Sequence, residues 1–200
     1  MLRRAFLAGL LAFTAPATAA ELIISPSAEV QDRYIEALKT PGHALILRHA
    51  LAPGHNDPGN FDLRNCSTQR NLDAAGRAQA VAIGAWLRAR GVTPDAIYTS
   101  PWCRCIETAE LMAMGPVIEE RGLRSFAENR SPKSETLSRL RKFLAARVDT
   151  PRPLVMVTHS STIADLIGGL VGSGEGVVVK LLPGGEIQLL GRVLFGQERV

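Results

Sequence analysis

Two histidines close short apolar runs in the same way. Ala44-Leu45-Ile46-Leu47 leads into Arg48-His49, and Leu154-Val155-Met156-Val157 leads into Thr158-His159. Continuous apolar runs of this length read as strands buried on both faces. In open α/β sheets, ligands bind beyond the carboxyl ends of the strands. Two such strands could therefore deliver both imidazoles to one pocket. A lone histidine at a strand end is more often structural than catalytic. A matched pair, one preceded by an arginine, is a better candidate site, and arginines gathered around it would make a pocket for an anion.

The elements that would position these residues follow from periodicity. Val30, Tyr34, Ala37 and Leu38 fall at helical spacing, and Pro41-Gly42 ends that helix. His43 follows the turn and reads as loop. Residues 51–71 are polar and rich in Gly, Pro and Asn, a long loop of the kind that usually has a function; His55 within it reads as a surface residue. Asp73 suits a helix N-cap, and Ala78, Val81, Ala82, Ala85 and Ala89 give a helical stripe ending at Gly91. Ala96-Ile97-Tyr98 is a second short strand, followed by Pro101 at the first turn of a helix. Val117–Leu123 reads as a strand, and Leu137, Leu140, Leu144 and Val148 mark another helix. Ile163, Leu166, Ile167, Leu170 and Val171 mark a further one. Two apolar runs around Pro183-Gly184-Gly185 predict a closing β-hairpin. Alternating strands and helices predict a three-layer α/β/α sandwich with a largely parallel sheet.

The chain has 200 residues, enough for one domain with a real core. Residues 1–20 stand apart: Arg3 and Arg4 precede an apolar run, Ala5–Ala15, and Ala17-Thr18-Ala19 offers small residues for cleavage. This is the pattern of a signal peptide, and the run is too short to span a bilayer, which needs about 20 residues. The expectation is a domain over residues 21–200, periplasmic or secreted, with no stable membrane anchor after cleavage. Arg3-Arg4-Ala5-Phe6-Leu7 also resembles a twin-arginine signal, so Sec and Tat export both stand open. Residues 1–20 hold two arginines and no acid, so the remainder carries +2 rather than the +4 of the whole chain. That balance speaks against a nucleic-acid partner, which would call for a clustered basic face. An oxidising compartment permits a disulfide. Cys103 and Cys105, two apart, would point about 200° apart on a helix, so Cys66 is expected to pair with one of them.

Four segments together resemble the histidine phosphatase (phosphoglycerate-mutase-like) superfamily, in particular its small exported bacterial branch. Leu47-Arg48-His49-Ala50 is similar to its Arg-His-Gly signature. Leu72-Asp73-Ala74-Ala75-Gly76-Arg77-Ala78-Gln79-Ala80 is similar to Leu-Ser/Thr-x-x-Gly-x-x-Gln-Ala. Ser100-Pro101-Trp102-Cys103-Arg104-Cys105-Ile106-Glu107-Thr108-Ala109 resembles Ser-Pro-x-x-Arg-x-x-x-Thr-Ala, and Val157-Thr158-His159-Ser160-Ser161 resembles Val-Thr-His-Gly-Gly. They occur in the family's order, from about residue 44 to 163. The resemblance implies a phosphoglycerate-mutase-like fold and a phosphomonoester hydrolase working through a phosphohistidine. His49 would be the nucleophile, Arg48 and Arg104 the phosphate ligands, and His159 a donor to the phosphoryl oxygens. Arg70 stands where small bacterial members carry an arginine, and would be a further phosphate ligand. No cofactor or metal is implied, because two arginines and two histidines already supply the charge. The expected partner is a phosphorylated small molecule or an envelope glycan.

The departures from the pattern matter. Ala50 replaces the signature Gly, and Ser160-Ser161 replaces Gly-Gly. Ser125 stands where many members place a glutamate as general acid, and His159 lacks the aspartate that follows it in phytase-like members. Glu128, Asp57 and Asp62 remain as acid candidates, Glu128 being the one set against Ser125. Three rivals share parts of the pattern: a phosphoglycerate mutase, disfavoured by export and by the missing glutamate; a non-catalytic or weakly active phospho-ligand binder; and a thiol or metal protein built on Cys66, Cys103 and Cys105. Cys-x-Cys lacks the redox spacing, and the histidines have no zinc-type pairing with cysteine.

Overall fold

The computed structural model describes residues 26–127 and 132–195. The proposed signal segment and Glu128 lie outside the described residues. A central six-stranded sheet has the order β3-β2-β4-β1-β5-β6, with β1 His43–Arg48, β2 Ile97–Thr99, β3 Val117–Glu119, β4 Leu154–Thr158, β5 Gly176–Leu181 and β6 Ile187–Val193. The first four run parallel, and β5 joins β1 antiparallel before turning back into β6. Gly184 and Gly185, both at positive φ, form that turn, as the Pro-Gly-Gly run predicts.

Side chains alternate across the sheet, so its central strands feed two cores. Leu45, Leu47, Val155 and Val157 pack with α1 (Ala28–Leu38), α2 (Ala74–Ala89) and α3 (Cys103–Met112) through Ile35, Leu38, Ile83, Leu87 and Met112. Ala44, Ile46, Leu154 and Met156 pack with α4 (Lys133–Ala145) and α5 (Ser160–Ile167) through Leu140, Phe143, Leu144 and Ile163. This is the expected three-layer sandwich. Each fully buried aliphatic side chain contributes roughly 1.5–3 kcal/mol. The same double burial explains why β1 and β4 are apolar at every interior position.

Several local expectations are corrected. Ala78, Val81, Ala82, Ala85 and Ala89 lie on the exposed face of α2; the buried face is Gly76, Ala80, Ile83, Gly84 and Leu87. The physical reason is close approach. A Cβ on Gly76 would lie 1.9 Å from the Leu51 carbonyl oxygen, and one on Gly84 2.0 Å from that of Met112. Pro101 precedes α3 instead of starting it, since Trp102 is the N-cap. Only Val117–Glu119 of the third run is strand, and residues 121–123 form a 3-10 turn. The last helix stops at Gly168 (φ 72°), so Leu170 is exposed and Val171 is buried beyond it. His43 opens β1 rather than lying in a loop, its ring held by Thr40.

Candidate active site

Adjacent parallel strands β1 and β4 end in register, with Arg48 opposite Thr158. The His49 N–H then donates to the Thr158 carbonyl at 3.0 Å. This pairing carries the two histidines past the sheet edge side by side, their rings 5.6 Å apart and inclined at 68°. Both are buried, at 2% and 4% exposure. Arg104, in the first turn of α3 and equally buried, completes the centre.

The hydrogen bonds fix which nitrogen does what. The Arg104 Nε–H donates to His49 Nε2 at 3.2 Å, and a guanidinium can only donate. His49 Nε2 therefore holds the lone pair, while Nδ1–H donates to the Ala50 carbonyl at 2.7 Å. On the same reasoning, Arg104 Nη2 donates to His159 Nδ1 at 3.4 Å, and His159 Nε2–H meets Ser100 Oγ at 2.7 Å. The Nε–Nη2 edge of Arg104 thus faces both imidazoles. Burial, with the charge of Arg104 added, lowers the His49 pKa to about 3 and that of His159 well below its ordinary value. Both rings are neutral near pH 7.

The third guanidinium nitrogen points away from the histidines. Arg104 Nη1 donates to both oxygens of Asp57 at 2.9 Å. Asp57 also accepts from Trp102 Nε1 at 3.0 Å and from the Arg70 N–H at 2.7 Å. Burial opposes the charge on Asp57, but these donors and Arg104 outweigh it and hold the pKa below the ordinary value.

Arg48 donates from Nη1 to the Val171 carbonyl at 2.9 Å, and its buried Nε has no hydrogen-bond partner among the described residues. An unsatisfied buried donor fits an anion site. Arg70 is part-buried, donates to the Ala52 carbonyl, and lies near enough for its charge to bear on both histidines. The structure therefore brings Arg48, His49, Arg70, Arg104 and His159 together. At the N-terminus of α3, the Cys103 N–H is taken by Gln69 Oε1 at 3.0 Å.

The loop 51–71 is fastened onto this helix. Cys66 and Cys103 form a disulfide, leaving Cys105 as a buried free thiol whose pKa burial pushes up to about 12. Such a thiol stays protonated and unreactive, contrary to a thiol-chemistry reading. Among the described residues no cluster of three or more His, Cys, Asp and Glu could hold a metal ion. Ala50 is not among the residues at positive φ; its N–H donates to Thr108 Oγ1 at 3.0 Å, so alanine is accommodated at the signature position.

Of the acid candidates, Asp62 lies in an exposed turn, its side chain held by Arg64 and its N–H by Thr68. Asp57 is in the site but ionised and bound to Arg104. Ser125, at the sequence position where the resemblance would put a glutamate, is buried and accepts from the Ala127 N–H at 3.3 Å. His55 is exposed. Sequence reasoning missed Ser100 as a partner of His159, although it lies within the Ser-Pro segment, and missed the pairing of Asp57 with Arg104.

Residues 44–131 match the model of the histidine phosphatase superfamily, branch 1. No curated protein matches the chain. Among solved structures, the protein histidine phosphatase SixA complexed with tungstate aligns at 17% identity with a TM-score of 0.55, covering 76% of this chain and 97% of its own. A structure assigned to SixA from Agrobacterium tumefaciens aligns at 19% and 0.54, covering 77% and 98%. The phosphoserine phosphatase of Entamoeba histolytica, in complex with 3-phosphoglyceric acid, aligns at 15% and 0.53, covering 76% and 96%. These likenesses concern the fold.

Proposed function

We propose, from the match of residues 44–131 to the model of the histidine phosphatase superfamily and from the geometry of the site, that this chain is an exported phosphomonoester hydrolase of that superfamily with His49 as nucleophile. The observation that carries the reading is the Arg104 fork set between two neutral imidazoles, with the His49 Nε2 lone pair directed at it. A phosphoryl group seated there would meet donors positioned for its equatorial oxygens, and phosphoryl transfer is catalysed mainly by such positioning and charge. His49 Nε2 attacks phosphorus, the P–O bond to the leaving group breaks, and Arg48, Arg70 and Arg104 balance the charge. With a phosphoryl group bound, Arg104 Nη2 turns from His159 Nδ1 to a phosphoryl oxygen, and His159 in its other tautomer, with Nε2 accepting from the Ser100 hydroxyl, donates from Nδ1–H to another. Water then cleaves the P–N bond and inorganic phosphate leaves. Two fold relatives are described with tungstate or a phosphate ester bound, in keeping with a tetrahedral oxyanion as ligand. The disulfide suits an oxidising compartment, which agrees with cleavage of residues 1–20 on export. The substrate would be a phosphorylated small molecule or an envelope glycan.

Ser125 in the glutamate position favours a second reading, a phospho-ligand binder with weak turnover. The two separate on p-nitrophenyl phosphate, whose leaving group departs without an acid. Protein lacking residues 1–20, prepared without reductant, is expected to hydrolyse it in the presence of EDTA, and His49→Ala to abolish the activity. No turnover by the unaltered protein would favour the binder.

A further inference from the structure

We propose that Asp57 is a positioning residue that aims Arg104 at the reacting phosphoryl group. The inference rests on the phosphatase reading and extends it to a residue outside the four segments that resemble the family. Arg104 has two usable edges. Asp57 holds Nη1 from behind with both carboxylate oxygens at 2.9 Å, whereas Nε and Nη2 face His49 and His159. A carboxylate binding one terminal nitrogen leaves the other edge free for bidentate contact with a phosphoryl group. The pair is buried, with side-chain exposures of 3% for Arg104 and 0% for Asp57, so solvent does little to loosen it.

Asp57 is itself fixed from two directions. Trp102 Nε1, from the residue capping α3, donates to Oδ2, and the Arg70 N–H donates to Oδ1. The loop carrying Asp57 is joined to α3 by the Cys66–Cys103 disulfide and by Gln69 on the Cys103 N–H. The carboxylate is therefore a fixed point from which the guanidinium plane is set. Displacing that plane would misplace two donors at once, and errors of about 1 Å in such groups cost on the order of a hundredfold in rate.

The test is a cycle with two Asp57 variants in two backgrounds. Asp57→Glu keeps the charge but lengthens the arm by a methylene; Asp57→Asn keeps the length but removes the charge. Each is made with Arg104 present and with Arg104→Gln, and folding is checked by thermal melting. With Arg104 present, both are expected to lower kcat for p-nitrophenyl phosphate by about a hundredfold. With Arg104→Gln, the further loss is expected to be under about threefold, since residues that act as a unit are not additive. Asp57→Glu retains a buried ion pair, so it reports even if Asp57→Asn does not fold. Wild-type rates in Asp57→Glu, or equal losses in the two backgrounds, would overturn the proposal. If the unaltered protein shows no turnover, the phosphatase reading has failed and not this one. Asp57→Glu should then weaken inorganic phosphate binding in calorimetry by about tenfold or more, and unchanged affinity would overturn it.

Discussion

At the residue scale, the site depends on two imidazoles kept neutral by burial. A neutral ring is a nucleophile and a lone-pair acceptor; a protonated one is neither. The pH consequence has a definite sign. The folded pKa of His49 is about 3, below the unfolded value of roughly 6.5, so the unfolded chain binds more protons between these values. The contribution is fully present above pH ~6.5 and is lost as pH falls towards ~3, with His159 acting in the same direction. The thermal midpoint should therefore drop through this window, and His159→Asn should flatten the slope, as calorimetric scans across acid pH would show. A midpoint that is level through the window would mean that the rings are not buried as described. The two histidines were legible because strand-end chemistry is written locally, in four apolar residues and the two that follow. Asp57 was not, because its meaning depends on a partner 47 residues away and on the path of a loop that periodicity does not describe.

At the scale of elements, two devices hold the site together. The first is the glycine contact between α2 and the segment after His49. Gly76→Ala would force Leu51 and α2 apart, at a cost of about 1–3 kcal/mol as for other overpacking. A lowered urea midpoint together with reduced turnover is expected, because Leu51 follows His49 by two residues. The second is the Cys66–Cys103 disulfide across 37 residues. Closing a loop of that length stabilises by about 3–4 kcal/mol in the chain-entropy model. Cys66→Ser should lower the urea midpoint accordingly and reduce activity, since Arg70 and Asp57 sit on the loop it fastens; full activity would detach the loop from the site. Pairing of Cys66 with a cysteine of α3 was legible from helical geometry. The packing face of α2 was not, since the alanine stripe has the right spacing but little area to bury. The face chosen instead carries glycines for contact and Ile83 and Leu87 for volume.

For the whole molecule, the alternation of buried strands with helices was enough to predict three layers, and the two apolar runs around Pro183-Gly184-Gly185 a closing hairpin. The division of helices, three on one face and α4 with α5 on the other, was not legible, because β1 and β4 are apolar on both sides and do not say which helix covers which. What the sheet does for function is simple: it places two neighbouring parallel strands in register, so that both histidines emerge at one edge. The proposed chemistry requires that His49 become phosphorylated. Turnover of p-nitrophenyl phosphate quenched in alkali, followed by mass spectrometry of the digested protein, reads this directly. One phosphoryl group, labile to acid, is expected on the peptide containing His49, and none in His49→Ala. Steady turnover with no phosphoryl group on that peptide, or with one on another residue, would contradict that chemistry.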